Sequence, residues 1–273
     1  MKVSILDFLA FFLPRAVETT GKAPLKPPAH QDGYSMGATG EVATEASIKQ
    51  QARNYQPNAA DAYYNRTKRW LGRRVWDCNG MAEGYYRDRT GININTKARY
   101  NYANWCGWKS PALPDAKLRG MPQIPGVAVF SGDNVAAISH VGYLLRKTGS
   151  GPLDWDVIEA RGADYGVVIT PLSAHNWRWW GVMDKYFDYG DGTAIVPSPT
   201  PEKGGNDVNH ATCTGNGVNL RSGPDTTYKS LGKLNTGDKL LALPDVRGWR
   251  TVAACIDGNM VVGYMSAQYV REV

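Results

Sequence analysis

A thiol, an imidazole and a carboxylate follow one another along this chain, each in a setting that suits acyl-transfer chemistry. They are Cys78 in W-D-C-N-G-M, His140 in S-H-V-G-Y-L-L and Glu159 in V-I-E-A-R-G. A cysteine attacks a carbonyl as its thiolate and needs an imidazole to take its proton. Asp77 suits the N-cap of a helix, which sets Cys78 in the first turn, where unpaired amides carry partial positive charge. That position predicts a thiol pKa below the ordinary value, and the same amides, that of Cys78 included, can hold a developing oxyanion. Among the four histidines, His140 alone opens an apolar strand. His30 lies in a Pro/Gly-rich stretch, His175 in a loop-like S-A-H-N-W and His210 beside a linker. Glu159 stands among apolar strand residues, where a carboxylate is costly to bury unless it is paired. The imidazole N–H of His140 or the guanidinium of Arg161 would pair it. Cys106, in N-W-C-G-W, is the rival thiol; Lys109-Ser110-Pro111 starts no helix after it, so it reads as packing near the cleft.

Helices that come first and strands that follow must position these groups. Glu45–Arg74 is helix-compatible and broken at Pro57, and Asp77–Asp88 reads as a helix stopped at Gly91. From residue 126 the pattern changes to short β-branched stretches, GVAVF (126–130), HVGYLL (140–145), WDVIEA (155–160) and YGVVIT (165–170). Helices before strands predict an α+β domain with an antiparallel sheet. Residues 190–209, GDGTAIVPSPTPEKGGNDVN, form a Pro/Gly-rich linker with nothing to bury. Beyond it, VNLRSGP (218–224), YKSLGKL (228–234), KLLALPD (239–245), GWRTVAAC (248–255) and VVGYMS (261–266) predict a small all-β barrel. The expected organisation is an N-terminal, partly irregular extension over 1–55, a domain over 56–189, the linker, and a second domain over 210–273.

These motifs, in this order, resemble the NlpC-type cell-wall cysteine peptidases, relatives of the papain-like fold. D-C-N-G at 77–80 stands for the family's D-C-S-G, H-V-G-Y-L at 140–144 for its H-V-G-I-Y, and GVAVF at 126–130 for its upstream strand. The resemblance covers roughly 65–190 and implies that Cys78 is the nucleophile, His140 the general base and then acid, and Glu159 the orienting residue. The family's third residue is most often His, Asn or Gln; a carboxylate serves because it accepts the imidazole N–H and stabilises the imidazolium. By the same resemblance Asp77 meets a stem-peptide amine, and Trp76 and Arg161 are further substrate contacts; the family's upstream Tyr has no clean counterpart, with Tyr64, Trp70 and Trp76 as its candidates. The C-terminal part looks like a bacterial SH3-like domain, with V-N-L-R-S-G-P, K-L-N-T-G-D-K-L and G-W-R-T-V in order. Tyr228, Trp249 and Tyr264 are its candidate wall contacts. The implied protein is a peptidoglycan hydrolase that cuts stem peptides at the γ-D-glutamyl–diamino acid bond and needs no cofactor or metal. Alternatives are an N-acetylmuramoyl-L-alanine amidase or acyltransferase on the same fold, or a non-catalytic wall-binding or phage-tail protein.

Composition agrees with a wall-directed protein. The chain has 273 residues and a net charge of +6. Residues 1–76 hold eleven Lys/Arg and six Asp/Glu, a local excess of five, with Lys68, Arg69, Arg73 and Arg74 clustered just before Cys78. Such a face suits polyanions, the bacterial wall among them. No zinc-finger spacing or RNA-binding signature is present, so nucleic acid is not an expected partner. Val3–Leu13 is too short to span a membrane and, with Asp7, makes a poor secretion signal; a docked helix fits it better. The expected location is extracellular or cell-wall associated. None of Cys78, Cys106, Cys213 and Cys255 forms a C-x-x-C pair, and Cys213 and Cys255 could form a disulfide if their strands are neighbours.

Overall fold

The fold begins with a short apolar helix that is core from its first turn. The computed structural model describes residues 1–94, 96–112, 118–190, 209–242, 248–257 and 259–272. After β1 (Val3–Ser4), the Ser4 hydroxyl accepts the Asp7 N–H at 3.2 Å and caps α1 (Ile5–Phe12). Phe8 and Phe12 are fully buried; Phe8 meets Tyr85, Tyr143 and Phe187 edge-on, and Phe12 meets Trp76. Burying each ring contributes about 1.5–3 kcal/mol. Next come β2 (Val17–Glu18), β3 (Gly33–Tyr34), β4 (Thr39–Val42), α2 (Glu45–Tyr55), α3 (Ala60–Thr67), β5 (Arg74–Trp76) and α4 (Gly80–Thr90). β3, β5 and β4 form a three-stranded sheet. Residues 1–55 are therefore not an extension: they supply α1, an edge of the main sheet and two strands beside β5. The break at Pro57 is present between α2 and α3, and α4 ends at Gly91 with φ 72°, the left-handed stop that glycine permits.

The remaining strands of this part are β6 (Trp108–Lys109), β7 (Ala128–Ser131), β8 (His140–Lys147), β9 (Trp155–Ala160), β10 (Val167–Pro171), β11 (Trp179–Val182) and β12 (Phe187–Asp188), the last pairing with β1. The main sheet has the order β2-β10-β9-β8-β7-β11-β6; it is antiparallel except for β2, which lies parallel to β10. Strand alternation gives it two apolar faces. Phe130, Val141, Tyr143 and Ile158 pack in one cluster with α1 and α4, while Val129, Leu144 and Val157 pack in another with Trp177 and Trp180.

The C-terminal part is all β: β13 (Asn209–Cys213), β14 (Val218–Arg221), β15 (Ser230–Leu234), β16 (Lys239–Ala242), β17 (Trp249–Ile256), β18 (Asn259–Ser266) and β19 (Val270–Glu272). They form one sheet, β15-β14-β18-β17-β16-β13-β19, with every pairing antiparallel. Leu241, Ala253, Val262 and Tyr264 of this sheet belong to the same apolar cluster as α1. The expected linker falls largely on 191–208, outside the described residues. Among the described residues no helix is long and apolar enough to cross a membrane.

The basic cluster near Arg69 is mostly engaged within the chain. Arg69 donates to the carbonyls of Pro24 and Leu25, each at 2.9 Å, and Arg73 to those of Pro27, Pro28 and Gln31. These guanidinium groups pin the Pro-rich loop between β2 and β3 and also lie against the Trp70 ring.

Candidate active site

Cys78 occupies a tight turn between β5 and α4. The Met81 N–H reaches the Asp77 carbonyl at 3.2 Å, and the Asp77 carboxylate accepts the Gly80 N–H and, at 2.8 Å, the Gly37 N–H. Asp77 thereby caps the turn that leads into α4, as expected, although the regular helix starts at Gly80. Glycine is required there by close approach: a Cβ on Gly80 would stand 2.0 Å from the Ala38 carbonyl oxygen. Cys78 is buried, at 8% exposure, and its Sγ lies 3.9 Å from the carbonyl oxygen of Ser139, the residue before His140.

The expected drop in thiol pKa does not occur. Burial, followed by the negative charge of Asp77, pushes the Cys78 thiol up to about 12; amide hydrogen bonds from Val141 and Asn79 act in the opposite direction and are outweighed. Partial charges at a helix start favour thiolate only where the sulfur keeps some solvent or a cation beside it. At rest this thiol is neutral.

His140 is the first residue of β8, and its Nε2 stands 2.6 Å from Glu159 Oε2. The register explains the contact. Tyr143 pairs with Ile158, so Glu159 falls beside Gly142, on the same face as His140 and diagonal to it. Glu159 also pairs with Val168, which puts Thr170 diagonal on the other side; its hydroxyl donates to Glu159 Oε1 at 2.6 Å. Gly142 keeps this face open, since a Cβ there would stand 2.6 Å from Val157 and 3.0 Å from Trp177. Glu159 is fully buried. Burial alone would raise its carboxyl, but the hydrogen bond from His140, the nearness of His175 and the charge of both rings outweigh it and hold the group well below the ordinary carboxylate range.

Two residues that sequence reading passed over complete the site. His175 Nε2 lies 3.2 Å from the same Oε2, and the Trp177 ring stacks on His140 at 5.4 Å and 17°. Both come from S-A-H-N-W at 173–177. The signal was present, a histidine two residues from a tryptophan, but a loop carries no periodicity to say which way its side chains turn.

The other expected site residues divide. Trp76 is fully buried and donates its indole N–H to Asp32 at 2.8 Å, so it is core and does not reach a substrate. The two backbone bonds that Asp77 accepts give it a structural task. Arg161 does not pair Glu159: it donates to the Ala174 carbonyl at 3.3 Å and lies 4.7 Å over the Tyr165 ring. Cys106 is buried; its Sγ faces Asn101 Oδ1 at 3.9 Å, as packing beside the sheet predicts. Cys213 and Cys255 are free thiols. β16 lies between their strands, and two strand spacings come to about 9.5 Å, beyond the ~7 Å a disulfide spans. In the C-terminal sheet Tyr228 is exposed, Trp249 is half-buried against the shared cluster, and Tyr264 is buried, so Tyr264 is not a surface contact.

Among the described residues, His140, Glu159 and His175 group three metal-ligating atoms within 4.8 Å of one another. Two ligands of a tetrahedral zinc with ~2.0–2.1 Å bonds sit about 3.3 Å apart. The 2.6 Å between His140 and Glu159 is instead a hydrogen-bond distance.

Comparison with known proteins bears on the C-terminal sheet. Residues 216–271 match the bacterial SH3 domain family. No NlpC-type catalytic family is detected in the chain. No curated protein matches. Among solved structures, the crystal structure of Ly7917 is similar at 14% identity with a TM-score of 0.24, over 72% of this chain and 88% of that one. The crystal structure of Ly7917 with the hydrolyzing product of MDP is similar at 15% identity with a TM-score of 0.20, over 70% and 83%.

Proposed function

We propose that this protein is a peptidoglycan hydrolase: a papain-like cysteine endopeptidase of NlpC type over 56–189, joined to a wall-binding SH3-like domain over 210–273. The observation that carries the reading is the 2.6 Å contact between His140 Nε2 and buried Glu159, at the strand end where the Cys78 thiol rests on the Ser139 carbonyl. With Nε2 committed to Glu159, Nδ1 is the nitrogen that exchanges a proton with the thiol. Because the resting thiol is neutral, His140 takes its proton as the sulfur attacks, and Glu159 stabilises the imidazolium that forms. The Trp177 face adds a further favourable contact for that cation.

The reaction runs in two halves. Sγ bonds to the carbonyl carbon of a stem-peptide amide, and the oxyanion is met by the Cys78 N–H, since the Gly80 and Met81 amides already serve Asp77. His140 gives its proton to the leaving amine as the C–N bond breaks, leaving an acyl-enzyme. Water, deprotonated by His140, then attacks the acyl carbon and returns the thiol. The favoured bond is γ-D-glutamyl–diamino acid, and the site of action is the bacterial wall outside the cell. In the SH3-like domain, exposed Tyr228 is the ring favoured for wall contact.

The test is digestion of isolated peptidoglycan by wild type and Cys78→Ala, with released fragments identified by mass spectrometry. Cutting by wild type alone supports the reading, and a free amine on the diamino acid names the bond. A free amine on L-Ala would make the enzyme an amidase. Binding without cutting by either protein would make it a wall-binding protein.

A further inference from the structure

Glu159 is a buried charge with no permanent counter-ion. Among the described residues no Lys or Arg pairs with it; its carboxylate faces the His140 and His175 rings and, through Oε1, the Thr170 hydroxyl. Buried carboxylates are paired or hold metal ions. His175 Nε2 stands 3.2 Å from Glu159 Oε2, outside hydrogen-bonding geometry, and among the described residues it is a buried ring nitrogen with no hydrogen-bond partner. A buried polar atom without a partner marks a place for water or an ion, and a nitrogen lone pair beside a carboxylate selects a cation.

We propose that His140, Glu159 and His175 form a zinc site, and that zinc in it switches off the cysteine chemistry by drawing His140 out of its hydrogen bond. The switching rests on the Cys78–His140–Glu159 reading above; the site itself does not. Two imidazoles and one carboxylate make a zinc donor set that leaves a fourth position open. One ligand atom from each residue lies within 4.8 Å of the other two. Tetrahedral ligands stand about 3.3 Å apart, and His175 Nε2 and Glu159 Oε2 are already at 3.2 Å. His140 Nε2, at 2.6 Å, has to withdraw by about 0.7 Å. That movement trades the hydrogen bond for a metal bond, so the two states exclude each other. The Thr170 hydroxyl keeps the carboxylate oriented in both, and Arg161 holds the loop by the Ala174 carbonyl, one residue before His175. The His140 and His175 side chains are 16% and 24% exposed, which gives an ion a way in. Nitrogen ligands select zinc over magnesium and calcium, which take oxygen. With zinc on Nε2, the neutral His140 ring carries its proton on Nδ1, and that nitrogen no longer accepts one from the Cys78 thiol.

The experiment titrates zinc chloride into full-length protein without a histidine tag, by calorimetry, for wild type, His175→Ala and Cys78→Ala. In parallel, peptidoglycan cleavage by wild type is followed with zinc, with zinc and then EDTA, and with magnesium. Wild type and Cys78→Ala are expected to bind zinc alike, and His175→Ala at least about 100-fold more weakly. Saturating zinc should suppress wild-type cleavage by about 10²-fold, the share a general base supplies, with EDTA restoring it and magnesium leaving it unchanged. Absence of zinc binding by wild type, or equal binding by folded His175→Ala, overturns the site. If that variant does not fold, cobalt(II) replaces zinc in wild type as a spectroscopic probe. Nitrogen and oxygen coordination then upholds the site, and a thiolate-to-cobalt charge-transfer band overturns it. Zinc bound at the site with cleavage untouched overturns the switch. Zinc bound there in a protein that cuts no peptidoglycan even without metal upholds the site and removes the hydrolase reading instead.

Discussion

Two buried thiols flank the main sheet, and they differ less in themselves than in their neighbours. Burial is the largest influence on both and pushes both up, Cys78 to about 12 and Cys106 further. Cys106 even has a cation near it, Lys109, which acts to lower it, whereas Cys78 has the Asp77 carboxylate, which raises it further. On acidity alone neither would be chosen as a nucleophile. What separates them is what lies beside the sulfur. Cys106 packs against Gly181 and Asn101, while Cys78 rests on the strand end that carries His140 and its buried carboxylate. A desolvated thiol is inert until a base can take its proton, so under the proposed function reactivity would belong to the pair of groups and not to the cysteine.

The sharpest way to break this comparison is to remove each sulfur. Cys78→Ala should abolish peptidoglycan cleavage in a fragment-release assay, and Cys106→Ala should retain it while costing about 1–2 kcal/mol in denaturant unfolding. Loss of cleavage in a folded Cys106→Ala and its survival in Cys78→Ala would reverse the assignment. Next in size is Glu159→Gln, which frees the imidazole to turn and withdraws the charge that supports it. A loss of about 10²–10⁴ in kcat/KM is expected with the fold retained. The same variant carries a stability signature. Glu159 is held below its ordinary pKa, so its contribution is present above the ordinary carboxylate range, ~4.3, and is lost as pH falls toward the folded-state value. Wild type should therefore lose Tm more steeply than Glu159→Gln on acidification below about pH 4, as thermal scans across pH would record.

Smaller effects sharpen the picture of the surroundings. Gly142→Ala brings a Cβ within 2.6 Å of Val157 and 3.0 Å of Trp177, and should cost about 1–3 kcal/mol and displace the ring stacked on His140. Tyr264→Ala, in the cluster shared by the two sheets, should destabilise by about 3–5 kcal/mol, whereas exposed Tyr228→Ala should leave Tm within about a degree. Tyr228→Ala should instead weaken pelleting with isolated walls several-fold. Equal stability of the two tyrosine variants would mean that Tyr264 is not core.

Much of the element order was legible in the chain. Capping at Asp77, the stop at Gly91, the break at Pro57 and the β-branched stretches from 126 to 170 all appear where local pattern places them, because caps, glycine stops and alternation act over a few residues. β11, with its W-W pair, and the two-residue strands β2 and β6 were not legible, since short strands exist only through the partner that pairs them. The first 55 residues looked like an appendage for the same reason. α1 is eight residues long, and its place in the core depends on Tyr85, Tyr143 and Phe187 far along the chain. In the C-terminal sheet the five predicted stretches are present, but strand order keeps Cys213 and Cys255 apart and turns Tyr264 inward.

The sequence by itself singled out Cys78, His140 and Glu159 as the candidates for chemistry, and it determined the local devices that hold each: a capped turn, a strand start and a strand interior. Tertiary structure alone decided three further matters: that His175 comes within 3.2 Å of Glu159, that burial raises the Cys78 thiol, and that Trp76 and Tyr264 are core. The physical reason is range. Capping and alternation are written within a few neighbouring residues, whereas desolvation and the meeting of His175 with a carboxylate on another strand exist only once the sheet has closed around them.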